Sequence, residues 1–94
     1  MGSPKDAHWS GLMKKVQKGN TRAYQHLLEE ISMLLKNYLY KQIGKTNEIE
    51  DLLQEILLAV HQSRKTYQPD KSFSNWMYAI AKYKIIDFFR RNER

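Results

Sequence analysis

The sequence predicts an all-α fold, a compact bundle of about four helices, and two observations carry that prediction. Apolar side chains recur at helical spacing through most of the chain, while Gly and Pro together number only six of 94 residues and nothing repeats. The clearest stop signals fall at Gly19-Asn20, Gly44 and Pro69, which leaves room for four elements. A 94-residue chain that is 41% hydrophobic supports one small core, so residues 1–94 are read as a single domain with no room for a large enzyme cleft.

The first helix is expected over residues 5–18, where Trp9, Leu12, Met13 and Val16 recur at i, i+3, i+4 and i+7. Residues 1–4, which begin "MGS", are expected to be disordered or tag-derived. The second helix is expected over 21–42, with Tyr24, Leu27, Leu28, Ile31, Leu34, Leu35 and Tyr38 on one stripe and Gly44 as its stop. In "TNEIEDLLQEILLAVHQSR", Asn47 followed by Glu50 reads as an N-cap with its capping-box partner, starting a third helix over 48–63. Glu48, Glu50 and Asp51 fall in its first turn, where the helix dipole favours negative charge. Residues 64–72 must be a loop, because Pro69 lacks an N–H and restricts Gln68, while Asp70 and Ser72 suit turns and caps. The fourth helix is expected over 73–92.

Charge is unevenly spread. Lys and Arg exceed Asp and Glu by eight to three in residues 1–46 and again in 64–94, whereas 47–63 holds four acids and no Lys or Arg. The net +6 favours a polyanionic partner, and the acidic segment between two basic ones suggests two different partner surfaces. Absence of Cys removes disulfides and thiolate metal sites, and no apolar run approaches the roughly 20 residues that cross a bilayer. Both fit a protein of a reducing cytoplasm. His8, His26 and His61 sit on separate helices with no ligand spacing, and nucleophile, glycine-loop and metal motifs are absent. No catalysis, cofactor, metal or small-molecule substrate is expected.

Two constellations stand out. On the third helix Ile49, Leu52, Leu53, Ile56, Leu57 and Val60 form the inward stripe, which leaves Asp51, Gln54, Glu55, Leu58 and Gln62 as an outer ridge. That ridge is either a solvated helix face or a dock for a partner presenting Arg or Lys. The second lies in residues 72–89, which hold six of the eleven aromatic residues. Phe73, Trp76, Met77, Ile80, Ala81, Ile85 and Phe88 make an ordinary core face, but Tyr78 and Phe89 lie beyond one edge and Tyr83 beyond the other. Either the helix is wedged between two neighbours, or the surplus rings, interleaved with Lys71, Lys82, Lys84, Arg90 and Arg91, hold single-stranded nucleic acid. Lys84 falls within the apolar arc and would have to snorkel.

Taken together, "GNTRAYQHLLEEI", "EIEDLLQEILLAVHQ" and "YQPDKSFSNWMYAIAKYKIIDFFRR" resemble the region 2 domain of a bacterial RNA polymerase sigma factor of the extracytoplasmic-function group, over about residues 12–91. The resemblance implies a helical domain that binds the clamp helices of the polymerase largest subunit, recognises and helps melt the promoter −10 element, and is held by an anti-sigma factor. It assigns Asp51, Gln54 and Glu55, with Leu58 beside them, to polymerase docking. It assigns the loop and helix start, through Lys65, Tyr67, Asp70, Lys71, Ser72, Phe73 and Asn75, to a base flipped from the non-template strand. Trp76, Ala79, Lys82 and Tyr83 would lie along the melted strand, with Arg90 and Arg91 on phosphates. Where the family commonly reads Ala-Arg-Asn, this chain has Ala81, Lys82 and Tyr83, which exchanges a planar fork and an amide for a point charge and a ring. Stacking is therefore expected there in place of edge readout. The −35-reading domain of that group has no counterpart within residues 1–94, so the chain is expected to be an excised domain or a stand-alone form. A sigma-like module that binds a regulator without DNA is the competing reading; a helix-turn-helix reader of duplex DNA fits poorly with the Pro69 loop.

Overall fold

The computed structural model describes residues 4–92, with the side chain of Pro4 excepted. The expectation for residues 1–4 falls outside that range, save that Pro4 is the first residue of α1. Four helices follow one another: α1 (Pro4–Gln17), α2 (Thr21–Ile43), α3 (Ile49–Gln62) and α4 (Phe73–Asn92). Each packs on the next, and α1 returns to α4 to close the bundle. The predicted all-α class is the observed one, and among the described residues no helix is long and apolar enough to cross a membrane.

Helical periodicity explains the core. Ala23, Leu27, Ile31, Leu35 and Leu39 repeat every four residues along α2 and are all buried, and they meet Trp9, Met13 and Val16 of α1. Ile49, Leu52, Leu53, Ile56 and Val60 come from α3, and Phe73, Met77, Ala81, Ile85 and Phe88 from α4. Helix ends obey local chemistry. Gly19 takes φ 93°, a turn only glycine adopts readily, and lets Asn20 accept the Ala23 N–H at 2.9 Å as the α2 cap. Gly44, φ 78°, closes α2 through its N–H on Tyr40 O at 3.0 Å.

The start of α3 departs from expectation. Asn47 is not its cap: Glu48 occupies that position, makes no side-chain capping bond, and donates its own N–H to Thr46 Oγ1 at 3.3 Å. Thr46 O also accepts the Ile49 N–H at 3.2 Å, so backbone and hydroxyl of Thr46 lead the chain into the helix. Glu50 turns outward to Lys36 of α2, 2.5 Å away, which raises the Lys36 pKa above its usual value.

Candidate functional site

The loop between α3 and α4 is held by its backbone, and the holding groups come from α1. Gln17 Nε2 donates to Arg64 O and to Tyr67 O, each at 2.9 Å, and Ser10 Oγ donates to Pro69 O at 2.9 Å. The Tyr67 hydroxyl donates to Lys71 O at 2.6 Å, with Ser10 Oγ 2.8 Å away. Thr66 closes the first turn of the loop on Ser63 O, and Lys71 N–H closes the second on Gln68 O. Tying down carbonyls in this way leaves the side chains of Lys65, Asp70 and Lys71 exposed.

Helix α4 starts from two caps. Ser72 Oγ accepts the Asn75 N–H at 3.2 Å, and Asp6, which is only 5% exposed, reaches across from α1 to accept the Ser74 N–H at 2.6 Å. Burial alone would push the Asp6 carboxyl up, but hydrogen bonds from Ser74, Ser72 and Phe73 outweigh it and hold the group below its ordinary value. Since α4 has no acid in its own first turn, Asp6 supplies the negative charge that its dipole favours.

Two of the residues assigned to the flipped-base loop and helix start are inside the bundle: Tyr67 is 3% exposed and Phe73 fully buried. Their rings pack with each other at 5.5 Å, Phe73 on Trp9 at 6.0 Å, and both on Trp76 at 5.3 and 5.5 Å. Burial of these large rings is what fixes the half-buried Trp76 at the surface. Tyr78 is also accounted for by packing, against Tyr38 of α2 at 4.8 Å. Asn75, Ala79, Lys82, Tyr83, Arg90 and Arg91 are exposed and Ser72 is half-buried. Tyr83, 72% exposed, forms one wall of a groove of about 400 Å³ between α3 and α4. Ala59, Trp76, Ala79 and Ile80 line it, with half-buried Lys84 at its edge. A largely apolar lining with an exposed ring and a lysine suits a flat aromatic group attached to an anionic chain.

The acidic ridge lies on the adjoining surface. Asp51 and Gln54 are exposed, Leu58 is 56% exposed, and Glu55 is half-buried. Glu55 and Arg91, assigned to separate surfaces, meet at 3.3 Å beside a cavity of about 260 Å³ that Glu48 and Asp51 also line. Leu52 and Phe88 form the apolar part of its lining. Sequence reasoning missed Asp6, Ser10 and Gln17 as positioning residues, for nothing local marks a polar side chain whose partner lies 47 to 68 residues away.

A family model described as Sigma-70 region 2 matches residues 27–94. The chain belongs to the sigma-70 region 2 family. Curated proteins agree with that placement. The chain is 40% identical over 83 residues to the ECF RNA polymerase sigma factor SigF of Caulobacter vibrioides, which is 87% of this chain and 46% of that protein. It is 31% identical over 70 residues to SigX of Bacillus subtilis, covering 74% of this chain and 36% of the relative, and 26% identical over 81 residues to SigW of the same organism. This region 2 domain therefore spans less than half the length of those relatives. No solved structure matches it significantly.

Proposed function

We propose that the domain serves transcription initiation by docking on the clamp helices of RNA polymerase through the outer face of α3 and holding the melted non-template strand of a promoter −10 element on the loop and α4. The observation that carries this reading is the tied loop leading into an exposed ring-and-cation face: Trp76, Lys82 and Tyr83 stand on a helix whose start is fixed from α1. Rings without a core to fill offer stacking surface for unpaired bases, and the exposed Lys71, Lys82 and Arg90 offer phosphate contacts. Asp51, Gln54 and Leu58 are exposed on the adjoining face of α3 as an acidic ridge with one apolar residue, suited to a partner that brings Arg or Lys. Exposed Ile86 and Phe89 add apolar surface that phosphates do not need and that a protein such as an anti-sigma factor would cover.

Binding of a labelled single-stranded −10 oligonucleotide and of the duplex of the same sequence tests the strand assignment. The single strand is expected to bind more tightly, and Tyr83→Ala to lose about 1–3 kcal/mol of that affinity. Equal affinity for both forms with no loss in Tyr83→Ala or Trp76→Ala would end the reading. Capture by a clamp-helix fragment tests docking: Asp51→Ala/Gln54→Ala/Glu55→Ala should abolish it, and undiminished capture would sink the assignment.

A further inference from the structure

The cations of the N-terminal third of the chain have no role in the surfaces described so far. Several of them, Lys14, Lys15, Lys18 and Arg22, fall where α1 turns into α2, and that turn borders Arg64 at the beginning of the loop. Two cavities, of about 200 and 230 Å³, flank that turn, and Asn20 lines both. Lys15, Arg22 and His26 line the first, and His61 and Arg64 line the second, with Lys14, Lys18 and Lys65 exposed near them in the chain. Among the described residues no carboxylate lines either cavity. The first turn of α2 carries no acid, and the ion pairs among the described residues (His8–Glu30, Lys36–Glu50 and Arg91–Glu55) involve none of these cations.

Arg64 is built into place. Its Nη1 donates to His61 O at 2.7 Å, its own carbonyl accepts from Gln17, and the His61 ring beside it stacks on Tyr24 at 5.6 Å and hydrogen-bonds the Tyr24 hydroxyl. A guanidinium anchored at one end loses little freedom when its remaining donors meet an oxyanion. The ring chemistry of this surface differs from that of α4. Tyr24 is half-buried and engaged with His61, so no exposed aromatic ring lines either cavity to stack on an unpaired base. Cations without stacking platforms suit a backbone whose bases remain paired.

We infer that the α1–α2 turn, through Lys15, Lys18, Arg22 and Arg64, is a second nucleic-acid surface that grips the sugar-phosphate backbone of duplex DNA adjoining the melted segment. The inference rests on the strand-holding reading of the loop and α4. Arg64 and Lys65 open the same loop whose far end leads to Trp76, so duplex on one side and single strand on the other can engage one continuous loop. The surface recognises phosphate and carries no base specificity.

A fork probe, duplex with a single-stranded −10 overhang, and the overhang alone separate the two surfaces. In Lys15→Ala/Lys18→Ala/Arg22→Ala, whose replaced side chains are exposed or solvent-facing, a thermal melt unchanged from the parent controls for folding. Fork affinity should fall at least about tenfold, with affinity for the overhang alone within twofold. The log–log salt slope for the fork should shallow by up to about 0.9 per removed cation. Arg64→Gln should act in the same direction. Equal losses on both probes would place the single strand on this turn, and unchanged fork binding would remove DNA from it; either overturns the inference. Loss of an acidic protein's binding with fork affinity intact would overturn it in favour of a protein partner. Trp76→Ala measured alongside tells the readings apart, since a failed strand-holding reading leaves overhang binding intact in Trp76→Ala whatever the triple variant does.

Discussion

Helices α3 and α4 lie against each other and bury five side chains each, but α3 does so within 14 residues and α4 within 20. Helix α3 divides sharply into an apolar inner face and a polar outer one, and it carries its own first-turn acids, Glu50 and Asp51. Helix α4 mixes rings and cations around its outer surface, has no acid at its start, and borrows a cap from α1. Helix α4 exposes Tyr83, a ring that does not hold it in place, and its start is fixed from outside by Asp6.

The widest test of that contrast sets a buried ring of α4 against an exposed one. Phe73→Ala should cost about 3–5 kcal/mol in denaturant unfolding, as the site is fully enclosed, whereas Tyr83→Ala should stay within about 0.5 kcal/mol. Comparable losses would mean that Tyr83 belongs to the core after all. Removing the borrowed cap comes next. Asp6→Ala should destabilise by about 0.5–2 kcal/mol at neutral pH. Because the folded pKa lies below the unfolded one, the stabilisation is complete above the ordinary carboxylate pKa and is lost as pH falls through the folded value. Thermal melts from pH 7 to 3 should therefore show a shallower acid decline in Asp6→Ala, and an unchanged decline would exclude Asp6 from it. Smallest is the link between the two helices. Glu55→Gln removes a half-exposed ion pair, so stability should shift by no more than about 1 kcal/mol. Releasing Arg91 should raise single-strand affinity at low salt by at most about fivefold and not at high salt. No rise at low salt would show that Arg91 does not contact phosphate.

What could be read in advance followed the range of the interactions. Periodic Leu and Ile, the glycines at 19 and 44, and Pro69 act on their immediate neighbours, so the bundle and its breaks were legible. At the start of α3 the expected cap, Asn47, gave way to Glu48, whose N–H goes to Thr46 Oγ1. Tyr67 and Phe73 sit in a ring-rich stretch where composition cannot tell a stacking platform from the packing beneath it; burial separates them from Trp76 and Tyr83. The Glu55–Arg91 contact needed the packing of α3 on α4, which no local pattern encodes.

Helix α1 lies before the matched segment at 27–94, yet Ser10 and Gln17 hold three carbonyls of the loop and Asp6 caps the helix that follows it. A chain trimmed to the recognisable segment would retain every side chain named for docking or for the strand and would lose these three supports. The loop would then be free to sample many shapes, and each ordering event on DNA would be opposed by roughly 1–2 kcal/mol of backbone entropy per residue fixed. Helix α1 is in this sense a prepayment of conformational entropy, and if the loop holds DNA as proposed, substitutions at Asp6, Ser10 and Gln17 should tune affinity without changing any group proposed to meet it.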